Sequence, residues 1–162
     1  MADKNIYTVV VADDEDELRE AVCTMIPWEA LGFHLVGNAS NGLDALELVE
    51  RLEPDLLLTD IRMPFISGIE LARQGREIRP AMHIAFLSGF DDFEYAKQAI
   101  QYNIISYMLK PLTMDGLAAE LKAIHEKIDA RYAGLRRAGS AHADRAALII
   151  PLVLARYENA PE

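Results

Sequence analysis

The chain has 162 residues, enough for one compact domain of about 100–150 residues plus an added element, and its 51% apolar content can fill a core. With 26 acidic against 16 basic residues and a formal charge of -10, it has no electrostatic footprint for gripping a phosphate backbone. Cys23 is the single cysteine, which excludes an internal disulfide and fits a reducing compartment.

Short apolar runs alternate with amphipathic stretches along the chain. Ile6 to Ala12 reads as a first strand, ending in Asp13-Asp14. Leu18, Val22, Met25 and Ile26 follow at helical spacing, and Gly32 is a stop signal. Phe33 to Ala39 reads as a second strand. Asn41 is an N-cap candidate for a helix carrying Ala45, Leu46, Val49 and Leu52, which Pro54 ends. Asp55 to Thr59 gives a third strand. Ser67-Gly68-Ile69-Glu70 has the spacing of a capping box and opens a third helix that stops before Pro80. Met82 to Leu87 is a fourth strand, and Asp91 to Tyr102 a fourth helix with Phe93, Ala96 and Ile100 inward. Ile104 to Leu109 is a fifth strand. Leu117, Leu121, Ile124 and Ile128 mark a fifth helix.

Five strand–helix units in strict alternation predict an α/β fold with a parallel sheet buried on both faces. In such doubly wound sheets, ligands bind beyond the carboxyl ends of the strands, at the switch point in strand order. Those ends carry Asp13-Asp14 after strand one, Asp60 after strand three, Ser88 after strand four and Lys110-Pro111 after strand five. Convergence at one edge would put carboxylates, a hydroxyl and an ammonium in a small pocket. Bare carboxylates ~4 Å apart repel by roughly 4 kcal/mol per pair at an effective dielectric of about 20, so a cation is expected among them. Hard oxygen donors suit Mg²⁺ or Mn²⁺, and the lack of Cys or His at these positions argues against zinc. A metal with one lysine is the usual apparatus for stabilising a transferring phosphoryl group.

Taken together, the acidic pair, Asp60-Ile61-Arg62-Met63-Pro64 with Gly68 beyond it, Ser88, and Tyr107 three residues before Lys110-Pro111 resemble the receiver domain of a two-component response regulator. The match covers roughly residues 5–130 in order and spacing. The resemblance implies a flavodoxin-like (βα)5 doubly wound sheet, order 2-1-3-4-5, with residues 131–162 as a C-terminal helical extension or linker. It implies that Asp60 accepts a phosphoryl group from a sensor histidine kinase. Asp13, Asp14, Asp60 and the backbone carbonyl of Arg62 would hold the metal. Lys110 would pair with the phosphoryl group, Ser88 would donate its hydroxyl to it, and Tyr107 would switch rotamer as the readout. The module would be a signalling switch that catalyses only its own phosphorylation and dephosphorylation. Gly89 leaves the pocket mouth open to small donors, and Arg62 and Phe90 are bulky enough to hinder water and prolong an acyl phosphate.

Each element has a blander reading. Asp13-Asp14 with Glu15-Asp16-Glu17 could be a charged helix start favoured by the macrodipole, which is the preferred reading for Glu15 to Glu17. Tyr107 alone would be packing, Ser88-Gly89 a turn, and Lys110-Pro111 a strand end. His34, His83, His125 and His142 lack ligand spacing. His125 lies on a helix, as a phosphotransfer histidine does, but alternating β/α units do not suit such helical modules. Competing functions are a phosphorylation-independent pseudo-receiver and an aspartyl phosphatase. The intact set of residues disfavours the first. Arg62, where haloacid dehalogenase enzymes usually carry a second Asp, disfavours the second.

Tyr132 and Leu135 extend the stripe of the last helix, either as a solvated end or as a coiled-coil seam joining a homodimer. Ala138-Gly139-Ser140 reads as a hinge, and Ala143 to Tyr157 as a further helix interrupted by Pro151. Ile26-Pro27-Trp28-Glu29, Leu31-Gly32-Phe33 and Ser88 to Ala96 resemble receivers whose C-terminus carries an AraC-type helix-turn-helix domain. DNA would then be met only through a domain absent from these residues. The N-terminus shows no signal pattern, and the apolar block Ala146 to Ala155 is far short of the ~20 residues that span a bilayer. A cytoplasmic protein with no membrane contact is the expectation.

Overall fold

Val9, Val10 and Val11 are all but inaccessible to solvent, because β1 (Tyr7–Ala12) is paired on both edges and covered on both faces. The computed structural model describes residues 5–89 and 103–141. Around β1 stand β2 (Phe33–Ala39), β3 (Leu56–Thr59), β4 (His83–Ser88) and β5 (Ser106–Leu109). All pairings are parallel, in the order β2-β1-β3-β4-β5. This is the predicted doubly wound order. It reverses at β1, where the chain places β2 on one side and β3 on the other. The register sets Ala12 beside Thr59, so the residues just past these two strands are neighbours.

Four helices are described: α1 (Asp16–Met25), α2 (Gly42–Leu52), α3 (Gly68–Ile78) and α4 (Met114–Ala141). The signals expected at their starts are used. Asn41 accepts from the Asp44 amide at 2.8 Å, and the Ser67 hydroxyl accepts from the Glu70 amide at 3.2 Å. Glu53 ends α2 in the left-handed region, just before Pro54. Val10, Leu57, Ile84 and Phe86 of the sheet pack with Ala45, Val49, Leu71 and Ala72 of α2 and α3. Val22, Leu117, Leu121 and Ile124 are also buried, as their helical spacing predicted. Each fully buried leucine is worth about 2–5 kcal/mol against alanine.

Some expectations are corrected. Met25 shares the helical spacing of Leu18, Val22 and Ile26, but it is 64% exposed. The helix ends there, and the turn swings Ile26 into the core instead. The hinge read at Ala138-Gly139-Ser140 is helical, since α4 runs on to Ala141. One glycine costs a helix only about 1 kcal/mol, and the flanking alanines favour continuation. Of the stripe read as a possible dimer seam, Leu117, Leu121 and Ile124 are buried in the first compact unit. The fourth helix expected at 91–102, and the one expected at 143–157, lie outside the described residues. The chain divides into two compact units, the first closing at His125.

Candidate functional site

Asp13 follows β1, Asp60 follows β3, and Lys110 follows β5, all at the carboxyl edge of the sheet. Main-chain bonds set their positions. The Asp13 amide donates to Ala39 at 3.0 Å, and the Asp60 amide donates to Ala12 at 2.9 Å. The Lys110 amide donates to Ser88 at 2.8 Å. Pro111 follows in a cis peptide. The three carboxyl-edge side chains then meet. The Lys110 ammonium lies 3.1 Å from Asp60 Oδ2 and 3.1 Å from Asp13 Oδ2. It also bonds the Glu15 carboxylate.

The electrostatics follow from this crowding. Burial and the neighbouring Asp13 charge push the Asp60 carboxyl up to about 6, against the pull of Lys110 and of the Ile61 amide, which donates to Asp60 Oδ1 at 2.7 Å. Burial likewise raises Asp13, opposed by the Glu15 amide and Lys110. For Lys110, burial by itself favours the neutral amine. The bond to Glu15 and the charges of Asp13 and Asp60 outweigh it and hold the ammonium above the usual lysine range.

Asp60 is held by a second device. The Gly68 amide donates to the Ile61 carbonyl at 2.6 Å, and a Cβ on Gly68 would sit 2.0 Å from the Asp60 carbonyl oxygen. The start of α3 is packed directly on the Asp60 main chain, which only a glycine allows. The Thr59 hydroxyl donates to that same carbonyl at 2.8 Å.

The remaining predicted residues are placed as follows. Ser88 is fully buried at the end of β4, and its hydroxyl donates to the Gly89 carbonyl at 3.2 Å. Tyr107 is half-buried on β5, its ring T-shaped against Phe86 at 6.4 Å between centroids. Arg62 is exposed, two residues past Asp60. Asp14 is exposed, and the carboxylate that joins Asp13 and Asp60 is that of Glu15. Phe90 lies outside the described residues. His125 is far from this chemistry in kind. It is buried between the Tyr7 and Phe33 rings, with Nε2 at 2.7 Å from the Asn5 carbonyl oxygen.

Glu15 is the residue that sequence reasoning passed over. It is the N-cap of α1, yet its side chain makes no capping bond and turns to Lys110 instead. Nothing local separates it from Asp16 and Glu17. Only the arrival of Lys110 from ninety-five residues away does so. The donor set suits a hard divalent cation. Oxygens of Asp13, Glu15 and Asp60 lie within 4.8 Å of one another, all three are carboxylates, and one ammonium offsets them.

The family described as "Response regulator receiver domain" matches residues 9–122. The chain belongs to the response regulator receiver family. The receiver is 36% identical over 131 residues to the transcriptional regulatory protein YesN of Bacillus subtilis, spanning 75% of this chain and 36% of that protein. It is 37% identical over 107 residues to the transcriptional regulatory protein HptR of Staphylococcus aureus, spanning 66% of this chain and 42% of the relative. The chain therefore spans less than half the length of these curated relatives. Among solved structures, the REC domain of the response regulator AraT from Geobacillus stearothermophilus superposes with a TM-score of 0.73 and 33% identity, over 78% of this chain and 98% of that one. A two-component transcriptional regulator AraC from Clostridium phytofermentans gives 0.69 and 33%, over 75% and 95%. Among the described residues, no helix is long and apolar enough to cross a membrane.

Proposed function

We propose that Asp60 is the phosphoacceptor of a cytoplasmic two-component switch, with a sensor histidine kinase as donor and a transcriptional output in the full-length protein. The observation that carries this is the Lys110 ammonium seated 3.1 Å from a buried Asp60 carboxylate at the edge of the sheet. An oxygen of Asp60 forms a bond to phosphorus while the phosphorus–nitrogen bond of the donor phosphohistidine breaks. The imidazole leaves with the bonding pair, and an acyl phosphate remains on Asp60. Charge gathers on the phosphoryl oxygens during the transfer, and Lys110 is placed to neutralise it.

In this reading Asp13, Asp14, Asp60 and the Arg62 carbonyl hold Mg²⁺ or Mn²⁺, which supplies further charge neutralisation when bound. Ser88 turns its hydroxyl from Gly89 to a phosphoryl oxygen. Tyr107, half-buried on the neighbouring strand, follows that movement as the readout. The phosphoryl group carries about -1.5 to -2 where an ionised carboxylate carried about -1, and this gain of up to about one negative charge biases a two-state element, as such local changes do. Residues 5–130 form the receiver, and 131–162 lead towards the output domain. If that domain is of the AraC type, DNA is met there and not through this acidic segment.

The test is intact mass after incubation with Mg²⁺ and acetyl phosphate. A gain of one phosphoryl group, absent in Asp60→Asn, supports the reading. No gain with acetyl phosphate or with a phosphorylated histidine kinase leaves a phosphorylation-independent interaction module.

A further inference from the structure

Lys110 has three N–H donors, as every ammonium has, and three carboxylates claim them: Asp13, Glu15 and Asp60. A phosphoryl group arriving at Asp60 brings new oxygens to this cation. The acyl phosphate leaves no carboxylate charge on Asp60, so that contact passes to the phosphoryl group itself. Where the ammonium turns a second N–H to the group, Asp13 or Glu15 must yield, and these two are not equivalent. The side chain of Asp13 is only 4% exposed, so giving up the ammonium would leave a buried negative charge. Glu15 is 58% exposed, and water can solvate its carboxylate as soon as it is released. Its main chain stays anchored meanwhile, because its amide donates to Asp13 Oδ1 at 2.9 Å.

Glu15 stands at the N-cap of α1 and makes no side-chain capping bond there. Its side chain reaches across to Lys110, the residue that follows β5.

We propose that Glu15 is a positioning residue for the phosphoryl-accepting site. It holds Lys110 in the unphosphorylated protein and is the acceptor that surrenders it when the phosphoryl group arrives. Glu15 then stabilises only the unphosphorylated state, so it slows uptake and lowers occupancy. The inference rests on Asp60 being the phosphoacceptor.

Two measurements on the whole chain test it. The first is phosphoryl uptake from acetyl phosphate at saturating Mg²⁺, followed by intact mass. Glu15→Gln is expected to take up the group about two- to fivefold faster than wild type, the range of one partly exposed ion pair. In a Lys110→Met background the same change should have no effect. The second is the ¹⁵N-resolved ammonium signal of Lys110 without any donor. Its hydrogen exchange is expected to rise at least about twofold in Glu15→Gln. An equal gain in the Lys110→Met background means that Glu15 acts only as a negative charge at the mouth, and the proposal is overturned. No change in uptake and in exchange overturns it as well. If wild type takes up no phosphoryl group, the phosphoacceptor reading is what has failed, and unchanged ammonium exchange in Glu15→Gln is then what rejects the hold of Glu15 on Lys110.

Discussion

The Lys110 amide donates to the Ser88 carbonyl at 2.8 Å, one rung past the pairing of Ser88 with Leu109. The ladder between β4 and β5 therefore sets the spacing of the hydroxyl and the ammonium. Neither depends on the other's side chain for its place. Single substitutions at either residue should leave the backbone where it is, so their effects can be read as chemistry.

Replacing Lys110 by Met keeps the aliphatic stem and removes the charge. Asp13 and Asp60 are then buried together with no cation between them. Removing one partner of a buried pair costs up to about 3–5 kcal/mol, but Asp60, already raised to about 6, can take a proton instead. The expected loss at pH 7 is about 1–3 kcal/mol, measured by urea unfolding. Millimolar Mg²⁺ should recover part of it, because an ion bound only by the folded state stabilises that state. Equal loss with and without Mg²⁺ would speak against a metal at these carboxylates.

Asp60→Asn should act in the opposite direction. Burial and the Asp13 charge put the folded Asp60 near 6, above its ordinary value of 3.8. A carboxyl whose folded value is raised destabilises the fold when ionised. That penalty is present above about pH 6 and is relieved as pH falls towards 4. At pH 7 the Asn variant is therefore expected to be more stable than wild type by about 1–3 kcal/mol. The gap should close by about pH 4. Thermal unfolding of both proteins across this window checks the sign, and a gap that widens on acidification would refute it.

Much of this was legible in the sequence, for a definite reason. A strand buried on both faces must be apolar throughout, so a polar residue at its end stands out. That is why Asp13, Asp60, Ser88 and Lys110 stand out in the amino-acid sequence itself. The caps at Asn41 and Ser67 were legible because their hydrogen bonds are local. Strand order came from the resemblance to receivers, since periodicity carries no information on which strand neighbours which. Glu15 was not legible. Its role depends on a partner from another strand end, and in sequence it is one acid among five. Met25 misled because the spacing pattern does not show where the helix stops.

Gly68→Ala tests how α3 supports Asp60. The added methyl carbon would lie 2.0 Å from the Asp60 carbonyl oxygen and 2.9 Å from Ile61 Cα, both backbone atoms that cannot rotate away. A loss of about 1–3 kcal/mol or more is expected, with phosphoryl uptake reduced beyond what the stability loss explains. Gly134→Ala is the control. It lies within α4, and an added Cβ there would meet nothing within 4 Å. That change should raise stability by about 0.5–1 kcal/mol and leave uptake alone. Comparable losses for both would mean that glycine content, and not the packing on Asp60, is being measured.

Arg62 bears on how long the acyl phosphate lasts. Ile61 is fully buried and Arg62 exposed, so the chain turns outward directly after Asp60, and a side chain this long has the length to reach the mouth of the site. Hydrolysis needs a water to reach phosphorus from the side opposite the Asp60 oxygen, and bulk at that mouth restricts the approach. Arg62→Ala is expected to shorten the lifetime of the phosphorylated receiver, with dephosphorylation about two- to tenfold faster, up to roughly 1.4 kcal/mol of barrier. Arg62→Met separates bulk from charge, since it keeps most of the length and none of the charge. If Met retains the slow rate, obstruction is the cause. If Met behaves as Ala does, the guanidinium itself is needed. An unchanged rate in Arg62→Ala, followed by intact mass after removal of the donor, excludes Arg62 from control of the lifetime.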